Sequence, residues 1–408
     1  MKRQKSIFYV INNYNLSSKL ISKPQFYFIL LFSIFLLIPG CVTKTLFNLY
    51  DLPKPNGTYN IGTIQFDWIN PNYQNLFSEN IYDKRRIMVQ FWFPGTSDES
   101  LEPSLYADNS IVIEALSNEY KIPPNLLKKA KNIKTNSYHN LKPIMLEGIF
   151  PLIIFSHGKG GYKSQNTVQF EELASNGYIV VSVDHSYDAM ITVFSDGSIA
   201  PYVSDNPKKV GSQIEADKIT NKKLLSRVSD IRYVLDKICN EPNYHPLFNL
   251  IDTSKVGMFG HSFGVTTTVL SAQTDNRIKV IAGLDGWFEP LSIEQLNRGL
   301  KIPFMHLGRE KWRFNPTNYE NMEQLSSSSP TSIIHYPIKR LQHFDFMDGT
   351  QLASTSIKIA IPHLSSYNKY KVRNLLNEML LTYFNYELKS KFSDTTDKVA
   401  KRFKLITD

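Results

Sequence analysis

From Pro151 onward the chain alternates short apolar segments with amphipathic ones, and few folds accommodate that alternation. The apolar segments are Leu152–Phe155, Tyr178–Val183, Val256–Phe259, Ile278–Leu284, Phe304–Leu307 and Ser332–Tyr336. Several are apolar throughout, as a strand must be when both faces of its sheet are covered. Between them, apolar residues recur at helical spacing, as in Leu224, Val228, Ile231, Leu235 and Ile238. Strand and helix in turn predict an α/β fold, a mostly parallel sheet with helices on both faces. Two further strands are predicted upstream, at Tyr59–Trp68 and Arg86–Phe93, the second alternating through Ile87, Val89, Phe91 and Phe93. A last amphipathic helix carries Val372, Leu375, Leu376, Met379, Leu380 and Tyr383. These elements define one large domain over 59–390. Within it, residues 96–145 read as polar and helical around Pro123-Pro124, a flap or a surface excursion. Residues 391–408 alternate in charge and read as a solvated end.

The first forty residues read as an address rather than as fold. A basic lead runs to Lys23, and an apolar run follows from Phe26 to Ile38, broken only by Ser33. Its thirteen residues suit the core of a secretory signal and fall short of the ~20 that span a bilayer. The run ends in Ile38-Pro39-Gly40-Cys41, which resembles a bacterial lipobox, where the cysteine is lipidated and becomes the mature N-terminus. Pro39 departs from the small residue usual there. An ordinary signal peptide, or an uncleaved anchor extended through Val42, are the competing readings. Residues 41–58, with Pro53, Pro55 and Gly57, read as a tether. The expected location is the bacterial cell envelope, membrane-anchored through lipid on Cys41, or otherwise secreted.

The formal net charge is +9, and Lys2, Arg3, Lys5, Lys19 and Lys23 account for more than half of it. The remainder shows no basic stripe with interleaved aromatics, so a nucleic-acid partner is not indicated. The two cysteines, Cys41 and Cys239, make no disulfide framework, and Cys239 falls on a predicted helix as a small apolar residue.

Gly260-His261-Ser262-Phe263-Gly264 directly follows the strand Val256–Phe259 and precedes a helix of small residues. A G-x-S-x-G sequence between strand and helix is the setting of a nucleophile elbow. The turn is too tight for side chains at the glycine positions, it lifts the serine hydroxyl above the sheet, and the helix N-terminus favours developing negative charge. A glycine-rich turn without chemistry is the competing reading, and the partners decide between them.

Those partners follow an elbow serine in the order acid, then histidine. His306 and His335 lie within predicted strands as core or sheet residues, and His363 follows a proline near the last helix. His343 lies in a loop just past the last strand, where an imidazole reaches over the serine, and is the best base. The acid belongs at a strand end, where it is fixed enough to hold the imidazole tautomer. Asp285 and Glu310 both satisfy this, with Asp285 modestly ahead, while Asp184 precedes the serine and breaks the order. An oxyanion hole needs two backbone N–H donors. One is expected from Phe263, the other from the loop Phe155-Ser156-His157-Gly158-Lys159-Gly160-Gly161. Read as a dinucleotide fingerprint, that loop lacks its third glycine, which is Lys163. No H-E-x-x-H, Cys/His cluster or Walker sequence is present, so neither metal nor cofactor is indicated.

Taken together, Phe155-Ser156-His157-Gly158, Ala174-Ser175-Asn176-Gly177-Tyr178-Ile179-Val180-Val181, the elbow, Leu284-Asp285-Gly286-Trp287 and His343-Phe344-Asp345-Phe346 resemble the plasma-type platelet-activating factor acetylhydrolase family. These are calcium-independent α/β-hydrolases acting on phospholipids with short or oxidised acyl chains. The resemblance implies Ser262 as nucleophile, Asp285 rather than Glu310 as acid, and His343 as base. It also implies oxyanion amides at Lys159 and Phe263, and an acyl pocket near Trp287 and Phe344. Those two aromatics read equally well as packing for the loops that hold Asp285 and His343. Val265 stands where the family usually has glycine, and Lys159 where an apolar residue is common. A lysine beside the oxyanion loop is expected to favour a phosphate-bearing substrate.

The expected activity is that of a serine carboxylic-ester hydrolase cleaving short or oxidised acyl chains from phospholipids. A general short-chain carboxylesterase or lipase is the nearest alternative. The rival class is a non-catalytic surface lipoprotein on a hydrolase scaffold, since fold does not fix function.

Overall fold

The computed structural model describes residues 49–405, except 97–99, 108, 121–128, 146–147, 313–314, 355, 357, 359–367 and 392–393. Cys41 and His363 therefore lie outside the described residues. Ten strands form one sheet: β1 (Asn60–Gln74), β2 (Lys84–Gly95), β3 (Pro103–Leu105), β4 (Lys134–His139), β5 (Phe150–Ser156), β6 (Ile179–Asp184), β9 (Ile251–His261), β10 (Ile278–Leu284), β11 (Phe304–Arg309) and β12 (Ile333–Ile338). A separate hairpin pairs β7 (Ile191–Val193) with β8 (Ile199–Pro201). The spatial order is β12-β11-β10-β9-β5-β6-β2-β1-β4-β3. Strands β5, β6 and β9 to β12 are parallel, and β2 is antiparallel to both β6 and β1.

Alternation along the strands sends side chains to two cores. On one face Ile154, Val181, Met258 and Ile281 meet Ile231, Val234 and Leu235. Those three lie on the long helix α3 (Gln213–Asn240), which follows α1 (Ser110–Tyr120) and α2 (Thr167–Ser175) in the chain. On the other face Ile153, Phe155, Val180 and Phe259 meet Phe170 and Leu173 of α2. Helices α4 (Phe263–Thr274), α5 (Ile293–Arg298), α6 (Thr317–Ser327) and α7 (Lys369–Lys389) complete the layers, with Leu376, Met379 and Leu380 of α7 in the second core. Each fully buried aliphatic side chain contributes about 1.5–3 kcal/mol, which keeps the sheet rigid beneath the loops at its carboxyl edge. Ser156, Asp184, His261, Leu284 and Arg309 end parallel strands at that edge, where open α/β sheets bind ligands.

Three regions differ from the expectation. Within 96–145, read as helical, β4 pairs in parallel with β1 and β3 with β4, so these two segments extend the sheet. Of the stretch read as a tether, residues 49–58 are docked: Tyr50 N–H donates to Leu352 O (2.9 Å), Leu52 N–H to Lys134 O (3.0 Å) and Asn56 N–H to Glu172 Oε2 (3.1 Å). The charged end forms α8 (Thr396–Arg402), whose Val399 and Ala400 are buried against the second core. In each case a few apolar or hydrogen-bonding residues outweigh a polar composition. Cys239 is half-buried on α3. Among the described residues no helix is long and apolar enough to cross a membrane.

Candidate active site

Strand β9 runs into a turn that only glycine permits on both sides of Ser262. A Cβ on Gly260 would lie 2.3 Å from the Gly264 backbone, and one on Gly264 would lie 1.9 Å from Ser156 O. Ser262 itself sits at φ 55°, ψ −120°, a left-handed conformation for a residue with a side chain, and caps the N-terminus of α4. Ser262 N–H donates to Leu284 O (3.0 Å), and Trp287 N–H donates to Ser262 O (3.1 Å). The serine turn is therefore tied to the end of β10. Val265 points away from the site into the core: its Cγ1 would touch a Cβ placed on Gly283 or Gly286. The glycines opposite make room for that side chain.

His343 opens a short 3-10 turn, His343–Phe346, braced by Asp345, which accepts from Gln342 N–H (2.7 Å) and Thr350 Oγ1 (2.9 Å). Its Nε2 lies 3.0 Å from Ser262 Oγ, and its Nδ1 lies 2.5 Å from Asp285 Oδ2. The carboxylate only accepts, so Nδ1 carries the proton and Nε2 is free to accept from the serine hydroxyl. Asp285 is fully buried, at φ 45°, and also accepts from Arg309 N–H (3.0 Å) and Arg309 Nε (2.6 Å). Burial by itself would raise its pKa, but the hydrogen bond and electrostatic attraction of His343, with the charge and backbone N–H of Arg309, hold it at about 2. Glu310, the other candidate acid, is exposed, and His343 Nδ1 is taken by Asp285 instead. Asp184 is buried and paired with Lys163, at 3.2 Å.

Three flanking residues carried no signal in the sequence reading. His261, the second residue of the elbow, accepts from Gln165 Nε2 at Nδ1 (3.2 Å) and donates from Nε2 to His343 O (3.2 Å). Burial, and then the neighbouring His343, push its pKa down to about 3, so it stays neutral. Arg309 clamps Asp285. Arg227, on α3, reaches the loop after β5, where its Nη1 donates to His157 O (2.6 Å) and its Nη2 to Gly158 O (3.1 Å). His306 and His335 are strand residues: His306 Nε2 accepts from Gly286 N–H (2.9 Å), so its Nδ1 donates to His335 Nδ1 (2.9 Å).

The loop after β5 stands against the serine, since a Cβ on Gly158 would lie 3.3 Å from Ser262 Cβ. Among the described residues the backbone N–H groups of Lys159 and Phe263 have no protein acceptor. The Lys159 side chain is not a free cation. Its Nζ pairs with the buried Asp205 at 2.8 Å and lies 5.1 Å from the Trp287 ring centroid. Asp205 Oδ2 also lies 3.6 Å from Lys223 Nζ, so the two lysines share one carboxylate. Trp287 is half-buried, tilted against Phe263 with centroids 5.4 Å apart, and donates from Nε1 to Glu289 (3.2 Å). Phe344 is half-buried beside His343, at 5.8 Å between ring centroids.

The sheet order, the elbow and the loops at the carboxyl edge define an α/β-hydrolase fold. A solved ferulic acid esterase from Streptomyces cinnamoneus shares it, with a TM-score of 0.67 at 21% identity over 84% of this chain and 94% of that one. The profile described as platelet-activating factor acetylhydrolase, isoform II, matches residues 45–399, and the chain belongs to that family. The platelet-activating factor acetylhydrolases of Canis lupus familiaris and Cavia porcellus are 24% and 25% identical to it. Those matches cover 68% and 64% of this chain, and the chain spans 64% and 60% of those relatives. A probable 1-alkyl-2-acetylglycerophosphocholine esterase of Arthroderma benhamiae is 24% identical over 42% of this chain and 41% of its own length.

Proposed function

We propose that this protein is a serine carboxylic-ester hydrolase that removes short or oxidised acyl chains from phospholipids through a Ser262–His343–Asp285 triad. The observation that carries the reading is the continuous line from Ser262 Oγ through His343 to Asp285, with steps of 3.0 Å and 2.5 Å. Ser262 Oγ attacks the ester carbonyl as His343 Nε2 takes its proton, and Asp285 stabilises the imidazolium. The N–H groups of Lys159 and Phe263 receive the oxyanion, and the N-terminus of α4 adds to the same field. His343 returns the proton to the leaving alcohol, then activates the water that releases the acyl group. Family membership and the names of the relatives support a phospholipid substrate. Trp287 and Phe344 are proposed to line the acyl site, and a lipid on Cys41 is proposed to hold the enzyme at the cell envelope.

The test is labelling with a fluorophosphonate probe, then hydrolysis of phospholipids with graded sn-2 acyl chains. Labelling of the wild type that is lost in Ser262→Ala, with turnover of acetyl and short oxidised chains but not palmitoyl, is the expected outcome. Labelling retained in Ser262→Ala overturns the triad. Equal turnover of short and long chains leaves an esterase without the proposed acyl selectivity.

A further inference from the structure

A backbone N–H serves an oxyanion only if its peptide plane is held in one orientation, and a loop of glycines does not hold itself. In Gly158-Lys159-Gly160-Gly161 the plane that carries the Lys159 N–H also carries the Gly158 carbonyl, and a trans peptide points the two in opposite directions. Whatever grips Gly158 O therefore aims Lys159 N–H. Three donors converge on that oxygen: Arg227 Nη2 at 3.1 Å, Gly161 N–H at 3.0 Å and His157 Nδ1 at 2.6 Å. The His157 tautomer is set as well, because its Nε2 accepts from His185 N–H (3.2 Å), which leaves the proton on Nδ1.

Arg227 is the long-range member of this set and makes the most contacts. Its Nη1 also donates to His157 O (2.6 Å) and Ser156 Oγ (3.2 Å), so it holds two successive carbonyls of the loop. Its guanidinium lies 4.7 Å from the ring centroid of Phe263, whose N–H is the second oxyanion donor. The side chain is fully buried and is itself fixed by Asp188, with Nε to Oδ2 at 2.5 Å. Asp188 is shared with the buried Lys223 at 3.1 Å, and Asp188 O accepts from Gly160 N–H (3.1 Å), closing the loop from its far side. A buried ion pair of this kind is weak evidence for stability, because desolvation offsets the attraction. Planar bidentate recognition of two carbonyls is what arginine offers and lysine does not.

Resting on the esterase reading above, we propose that Arg227 is a positioning residue: by gripping the carbonyls of His157 and Gly158 it holds the Lys159 N–H in the oxyanion hole. It touches neither substrate nor Ser262, and acts through the peptide plane. Its loss selectively weakens binding of the tetrahedral intermediate and leaves ground-state binding intact.

The experiment compares Arg227→Lys and Arg227→Gln with Arg85→Lys, each normalised to folded enzyme by circular dichroism and active-site titration. Arg85 belongs to the same buried network, paired with Asp230 at 2.8 Å, but reaches Ser186 O rather than the oxyanion loop. In both Arg227 variants kcat should fall by about 10²-fold, the low end of what losing one oxyanion donor costs, with KM nearly unchanged. The inhibition constant of a trifluoromethyl ketone, which forms the oxyanion adduct on serine, should rise by the same factor. The corresponding alcohol, a ground-state ligand, should bind as before. Arg85→Lys should lower the melting temperature and leave kcat and the ketone affinity unchanged. If Arg227→Lys does not fold, Asp188→Asn, which releases Nε, is read by the same criteria. A folded Arg227 variant with wild-type kcat and ketone affinity overturns the proposal, as does an equal loss of ketone and alcohol binding. A wild type that neither reacts with the fluorophosphonate nor turns over esters overturns the esterase reading instead.

Discussion

Replacing Asp285 with asparagine keeps the shape of the acid and removes one acceptor, so the structure sets the cost. The two carboxylate oxygens take three donors: Arg309 N–H, Arg309 Nε–H and His343 Nδ1–H. A carboxamide has one accepting oxygen, so in either orientation its NH2 faces a donor. With the NH2 toward His343, the imidazole must reverse its tautomer, and Nε2 then no longer accepts the Ser262 proton. With the NH2 toward the Arg309 amide, the clamp that orients Asp285 is broken. Loss of a triad acid costs roughly 10⁴ in kcat, and that is the expected fall on p-nitrophenyl acetate. Stability should fall as well. The difference between about 2 in the folded protein and the ordinary 3.8 corresponds to about 2–3 kcal/mol at neutral pH. The sign follows from a lowered folded pKa. The contribution is complete above the ordinary value and is lost as pH falls through about 2. Urea titrations at pH 7 should therefore separate wild type from Asp285→Asn, and the gap should narrow as pH falls below 4. Glu310→Gln, at an exposed position, should match the wild type in both assays. Near-native activity in Asp285→Asn, or a loss of similar size in Glu310→Gln, would refute the reasoning.

Two further outcomes are expected. Lys159→Leu should change KM by the same factor for a zwitterionic phospholipid and for neutral p-nitrophenyl acetate, because Nζ is already held by Asp205; a selective rise for the phospholipid, measured in steady-state assays, would show that the charge reads the headgroup after all. In a bacterial host the mature protein should incorporate labelled palmitate and partition into detergent, and Cys41→Ala should abolish both; an intact mass showing an unmodified chain would exclude the lipid anchor.

Much of the sheet and two of the three side chains of the proposed triad were legible in the sequence, for local reasons. Both-faced burial writes itself as a largely apolar run, so β5, β6, β9, β10 and β11 were readable, while the half-buried edge strand β12 was readable from Ile333, Ile334 and Tyr336. The elbow was readable because a Cβ at Gly260 or Gly264 would fall within 2.5 Å of neighbouring backbone atoms, so only glycine fits there. Chain order then singled out His343 in its loop. The acid was not decided locally, since Asp285 and Glu310 both end strands. Only the direction in which each carboxylate leaves the sheet brings Asp285 to 2.5 Å from the imidazole and turns Glu310 to solvent. Strand β4, next to the edge strand β3, is polar, with no alternation to mark it, and is defined by pairing with β1 across more than 70 residues. Arg227 and Lys223 read as the polar face of a helix, because a sequence records that a residue is charged but not what packs over it. Their burial, and with it the grip on the loop beside Ser262, exists only once α3 lies across the sheet and sets Arg227 against carbonyls some 70 residues away.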